Sequence, residues 1–104
     1  MKSEQNIQSE IMIELSKSGC LIFRNNVGAL KDAFGRLVRY GVGGKGGSDL
    51  IGVCPDGKII CVEVKKHGCN PSDDQLRFIE AVRAKGGRAG VARSVEDALR
   101  ILEG

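Results

Sequence analysis

An aspartate at position 49, thirteen residues, and then Glu63-Val64-Lys65 bring two carboxylates and an ammonium together if the intervening chain doubles back. Side chains alternate along a strand, so Glu63 and Lys65 share one face of the run Ile59–Lys65 with Ile59 and Cys61, while Ile60, Val62 and Val64 share the other. Pro55-Asp56-Gly57 reads as a tight turn, and a hairpin built on it places Asp49 across from Glu63. Two carboxylates that close repel, which raises the pKa of one of them. A divalent cation removes that penalty, and hard oxygen donors suit Mg²⁺ or Mn²⁺. A lysine beside them can orient a water or offset charge developing on a phosphoryl group. The same residues also suit an ordinary cross-strand ion pair, worth about 0–1 kcal/mol. Spacing alone leaves both readings open.

The elements that must hold these groups are readable around them. Residues 7 to 18 form an amphipathic helix ended by Gly19. At roughly 100° per residue, Gln8 falls on its apolar arc with Ile7, Ile11, Met12 and Leu15, while Glu10 and Glu14 face away. An amide on an apolar arc needs a hydrogen-bond partner. Cys20–Arg24 is a short strand, Asn25–Gly28 a turn, and Arg36–Tyr40 a second strand or an ordered loop, with residues 29 to 35 unassigned. Gly41–Gly47 holds five glycines in seven positions, which suits a flexible loop or a close approach of backbone to something else. Ser48–Cys54 and Lys58–Lys65 are the hairpin strands. Ser72 or Asp73 caps a helix running to Lys85, with Leu76, Phe78, Ile79, Ala81 and Val82 as its core face. A strand at Ala89–Ala92 follows, then a helix capped by Ser94 with Ala98, Leu99, Ile101 and Leu102 inward. The predicted order is α-β-(β)-β-β-α-β-α, an α/β fold with a mixed central sheet flanked by helices.

Bulk properties narrow the functional classes. A chain of 104 residues accommodates one domain, so residues 1–104 are read as a single unit. No apolar run could cross a bilayer, and the N-terminal MKSEQNIQSE has no signal-peptide core. Membrane, secreted and collagen-like classes are thereby excluded, and the expected location is the cytoplasm. Net charge is +3, with the excess in the middle: Cys20–Lys66 carries eight basic residues against four acidic ones. That permits nucleic-acid binding without demanding it. Cys20, Cys54, Cys61 and Cys69 form no C-x-x-C pair and read as reduced, half-buried thiols. Gly41–Ser48 lacks the Gly-Lys-Ser/Thr ending of a phosphate loop, and His67, the lone histidine, has no triad partners.

Gly47-Ser48-Asp49 followed by Glu63-Val64-Lys65 resembles the PD-(D/E)XK nuclease motif, with Ser in place of Pro. The nearer resemblance is to the VRR-NUC domains of that superfamily, in particular the small stand-alone phage and bacterial members. It rests on Ile7-Gln8, Arg24-Asn25-Asn26-x-Gly28, Gly47–Gly52, Val62–Lys65, Ser72-x-x-Gln75 and Ala92–Asp97, and so spans nearly the whole chain. It implies a restriction-endonuclease-like core in which Asp49, Glu63 and the Val64 carbonyl bind Mg²⁺ or Mn²⁺ and Lys65 is catalytic. The family's first-helix position, Glu in many relatives and Gln in others, falls on Gln8. Gln75 resembles a glutamine that related nucleases set beside the site; an exposed place at the helix N-terminus is the alternative.

The function expected on this basis is a metal-dependent DNA endonuclease. Arg24, Arg36, Arg39, Lys45 and Lys66 are candidate phosphate contacts. Few aromatics leave little to stack on single-stranded bases, which favours duplex or branched DNA. The resemblance further implies a homodimer that acts on branched repair intermediates such as four-way junctions, in a bacterial or phage-infected cell. A catalytically silent DNA-binding or assembly module with the same fold is the alternative, favoured by Gln8 standing where many relatives carry Glu.

Overall fold

The computed structural model describes residues 2–104. Helix α1 (Glu4–Lys17) leads into β1 (Leu21–Arg24), a hairpin of β2 (Gly28–Lys31) and β3 (Leu37–Tyr40), β4 (Leu50–Val53) and β5 (Ile59–Val64). Helix α2 (Asp73–Ala84), β6 (Arg88–Ala92) and α3 (Val95–Glu103) complete the chain. The central sheet has the order β1-β4-β5-β6, antiparallel except for the parallel pair β5–β6. It is a mixed sheet flanked by helices. Among the described residues no helix is long and apolar enough to cross a membrane.

Alternation along β5 builds two cores. Ile60, Val62 and Val64 pack with Ile7, Ile11 and Leu15 of α1 and Ala98 of α3, while Cys61 packs with Ile79 of α2 and Ala89. The helices therefore divide between faces, α1 and α3 on one and α2 on the other, and the sheet is buried at its centre. Each helix starts at a serine whose hydroxyl accepts a backbone N–H: Ser3 from Asn6, Ser72 from Gln75 and Ser94 from Asp97.

Several predicted boundaries move. Helix α1 starts three residues before Ile7, because Ser3 caps it and Glu4 sits favourably in the first turn. The unassigned stretch supplies a strand, β2, which pairs with β3 as a separate two-stranded sheet. In α2, Leu76 and Ala81 lie exposed, since only one side of that helix meets the sheet. The glycine segment is not an open loop: Gly44–Gly46 form a 3-10 turn, and Gly46, Gly47 and Ser48 are buried. A side chain at Gly46 would collide with the Asp74 carbonyl at the start of α2, and Gly43 (φ +90°) abuts the Phe78 ring. The close approach foreseen there is made to the protein's own helix.

Candidate active site

The hairpin register is the one the turn dictates. Leu50 pairs with Val62 and Ile51 with Cys61, and one step further along sets Asp49 opposite Glu63. Asp49 Oδ2 accepts the Val64 N–H at 2.8 Å, and its main-chain carbonyl accepts the Asn25 N–H at 2.7 Å. The Asn25 side chain also donates to the carbonyls of Val42 and Ser48. Asp49 is thus clamped between the ends of two strands and the entry to the glycine turn.

Glu63 is 1% exposed. Its Oε2 accepts from Gln75 Nε2 at 3.1 Å and lies 3.7 Å from Lys65 Nζ, while Oε1 is buried with no partner among the described residues. Burial, then the charge and hydrogen bond of Asp49, push the Glu63 carboxyl well above the ordinary carboxylate range, and the ammonium of Lys65 only partly offsets this. Gln75 holds its place through a capping box: its Oε1 accepts the Ser72 N–H while its own N–H donates to the Ser72 hydroxyl. The helix cap and the contact with Glu63 are therefore made by one residue. Beside Asp49, the buried Ser48 hydroxyl also lacks a partner among the described residues.

Two acids, a lysine, a glutamine and a helix start converge here, as the sequence suggested. Gln8 lies half-buried on α1, and the amide partner it needed is the Arg24 guanidinium. Arg24 also bonds the Ser9 hydroxyl at 3.0 Å, so it ties β1 to α1. Of the other basic candidates, Lys45 pairs with Asp74 at 3.5 Å, and Arg36 pairs with Asp32 while lying over the Phe34 ring. Arg39 sits exposed on β3. Lys66 is exposed and lines a cavity of about 320 Å³ with His67 and Arg93.

One acidic neighbour escaped the sequence reading. Glu4 Oε2 accepts the Lys66 N–H at 3.2 Å, and its charge adds to the upward pressure on Glu63. The signal for it was Ser3 as a cap, which would have brought position 4 into the helix. Among the described residues no three His, Cys, Asp or Glu groups cluster closely enough to form a metal cage by themselves. The two carboxylates nonetheless fit a hard divalent cation. Glu63 Oε1 accepts no hydrogen bond and is available as a ligand oxygen, and the mutual repulsion is what such a cation relieves.

The cysteines take no part. All four are free, and burial raises the Cys61 thiol to about 11, so it stays protonated.

The sequence model of the VRR-NUC domain matches residues 2–96. A solved structure described as a VRR_NUC domain is similar over 96% of this chain and 94% of its own, at 27% identity and a TM-score of 0.66. No curated protein sequence matches.

Proposed function

The chain belongs to the VRR-NUC family and has its nuclease-type fold, and from that premise we propose that it is a metal-dependent endodeoxyribonuclease. The observation that carries the reading is Glu63: a carboxylate buried beside Asp49, destabilised by it, with one oxygen unpartnered. A stability-driven sequence would replace or neutralise such a group. Its presence here fits a cation-binding site.

Asp49, Glu63 and the Val64 carbonyl would hold Mg²⁺ or Mn²⁺, which when bound lowers the pKa of water and polarises a phosphodiester. Asp49 is aimed by the Val64 N–H, and Glu63 by the Gln75 amide. Lys65, one strand repeat beyond Glu63, stands on the same face with its ammonium partly exposed, placed to steady the nucleophile or the developing charge. Glu4, on α1, reaches the site's edge through the Lys66 N–H, while Gln8 is held by Arg24 and would act, if at all, through that side chain. Arg39 and Lys66 are the phosphate contacts this arrangement leaves most accessible; Arg24, Arg36 and Lys45 would have to exchange the partners they hold. Branched DNA as substrate, and a homodimer able to cut both strands, complete the proposal.

The test is incubation of labelled linear duplex and four-way junction with the protein in Mg²⁺ and in Mn²⁺. Cleavage of either, abolished by Asp49→Ala and by Glu63→Ala, supports the enzyme, and preference for the junction supports the branched substrate. Binding without cleavage in both metals overturns it and leaves a silent DNA-binding module.

A further inference from the structure

Four thiols stand outside the acidic site, and two of them meet. Cys20 immediately precedes β1 and Cys54 immediately follows β4. The β1–β4 register runs from Arg24 with Leu50 to Leu21 with Val53, and one residue further sets Cys20 opposite Cys54. Directly opposed residues of an antiparallel pair turn their side chains to the same face. Both cysteines accordingly belong to the core covered by α1 and α3, at 7% and 3% exposure.

The kind of pairing decides how near the sulfurs come. At the far end of the same ladder the Asn25 N–H bonds the Asp49 carbonyl, which makes those two a hydrogen-bonded pair. The kinds alternate residue by residue from position 25 to position 20, so Cys20 and Cys54 form a pair of the other kind. Their backbones agree. The Cys20 N–H turns away to the Leu15 carbonyl, and the Cys54 N–H turns away to the Lys58 carbonyl. In such non-hydrogen-bonded pairs the α-carbons stand roughly 4.5 Å apart and the side chains are at their closest. A disulfide spans that separation.

We propose that Cys20 and Cys54 are a redox pair, which hydrogen peroxide closes into an intramolecular disulfide that staples β1 to β4. One thiol attacks a peroxide oxygen, becomes a sulfenic acid and releases water. The second thiol attacks that sulfur, forms the S–S bond and expels the oxygen as a second water. Two thiols and one peroxide thus give one disulfide and two waters, with two electrons passing from sulfur to peroxide. Neither remaining thiol competes. Cys61 lies on the opposite face of the sheet, beneath α2, and Cys69 lies in the segment between β5 and α2.

The surroundings suit a pair that rests reduced and closes on demand. Burial and the neighbouring Cys54 raise the Cys20 thiol, while the Arg88 guanidinium draws it part of the way back. A cation so placed favours the thiolate that attacks peroxide. Closure makes a ring of about 35 residues that holds β1, the β2–β3 hairpin, the glycine turn and Asp49. The β1–β4 ladder is then fixed at both ends, by Asn25 at one and by the S–S bond at the other. Such a ring restricts the unfolded chain far more than the folded one, so the oxidised form resists heat better. None of this requires metal, DNA or cleavage, so the redox pair and the nuclease can fail independently.

Peptide mapping and melting of the full chain test the proposal. Trypsin, cutting after lysine and arginine, leaves each of the four cysteines in a peptide of its own. Reduced protein treated with equimolar hydrogen peroxide is expected to lose two of its four free thiols. The peptide Ser18–Arg24 should then appear joined to Gly46–Lys58 in the non-reducing map. The melting temperature should rise by roughly ten degrees and fall back with dithiothreitol. Cys20→Ser and Cys54→Ser should each abolish the rise, and Cys69→Ser should keep it. Should a serine variant fail to fold, the wild-type map and its paired melts decide alone. Peroxide that leaves Cys20 and Cys54 unlinked, whether free or as sulfinic or sulfonic acids, overturns the proposal. So does linkage of either to Cys61, to Cys69 or to a second chain, and so does a Cys20–Cys54 disulfide that leaves the melting temperature unchanged or lower.

Discussion

The β4–β5 hairpin has an acidic residue near each end, and the two ends treat it in opposite ways. At the turn, Asp56 receives both guanidinium nitrogens of Arg88 at 2.8 and 2.9 Å and the Lys58 N–H at 3.2 Å. Those bonds hold its carboxyl down at about 2. At the open end, Asp49 and Glu63 face one another, the nearest cation to Glu63 stands 3.7 Å away, and one Glu63 oxygen has no partner. The same residue class is satisfied at one end and frustrated at the other, within one hairpin. Such frustration, which the fold could have relieved with another arginine, is what the cation of the proposed function would relieve.

The sharpest way to break this contrast is to neutralise each end without changing its shape. Asp49→Asn and Glu63→Gln are expected to lower DNA cleavage by roughly 10³-fold or more, about 4 kcal/mol of transition-state stabilisation. Asp56→Asn is expected to leave the initial rate within about twofold. A gel assay of strand scission under single-turnover conditions measures all three. Equal losses at both ends would mean that the hairpin as a whole, and not its acidic mouth, governs activity.

The two cations make the next comparison. Lys65→Met is expected to cost roughly 10²-fold in single-turnover rate while the metal-induced rise in melting temperature persists, since Asp49 and Glu63 remain. Arg88→Met is expected to retain the rate and lower the melting temperature, because its guanidinium joins β6 to the turn. A Lys65→Met protein that no longer responds to metal would give Lys65 a structural role.

The open end was legible in the sequence because a hairpin register follows from its turn. Pro55-Asp56-Gly57 set Asp49 opposite Glu63, and period-two alternation set Lys65 on the Glu63 face. Gln8 was legible as an inward amide for a similar reason, a helical period. Its partner was not: Arg24 reaches it from another element, sixteen residues away. The same holds for Lys45 with Asp74 and for Gly46 beneath α2, where tertiary packing decides what a cation or a glycine is for. Strand β2, Gly-Ala-Leu-Lys, carries no β-branched residue and exists through its pairing with β3. Leu76 looked like core because its helix is amphipathic, yet the side of α2 that meets the sheet is the one bearing Phe78, Ile79 and Val82.

Stability sharpens the contrast further. Glu63→Gln removes the like charge but keeps the contact with Gln75, so at mildly alkaline pH the metal-free variant is expected to melt several degrees above the wild type. The gain is on the order of 1 kcal/mol. Added Mg²⁺ or Mn²⁺ should raise the wild-type melting temperature and reverse the ranking, since the variant has lost a charged ligand. Thermal melts with and without metal read both effects. A variant less stable than the wild type in the absence of metal would show that Glu63 is a structural ion-pair partner of Lys65 after all.

The turn end supplies the smallest effect and the opposite sign. Because the folded state depresses the Asp56 carboxyl to about 2, its ionised form favours folding. That contribution is fully present above the unfolded value near 4 and is lost as pH falls toward about 2. Asp56→Asn should therefore melt slightly below the wild type at neutral pH, and the gap should close on acidification across that window. The pair is solvent-facing, with Asp56 about half exposed, so salt should shrink the gap at neutral pH as well. Glu63→Gln behaves in the reverse sense, since a raised carboxyl destabilises the fold as pH climbs and the variant's advantage grows with it. Melting curves of both variants from acid to alkaline pH should thus diverge from the wild type in opposite directions, and parallel curves would erase the distinction between the hairpin's two ends.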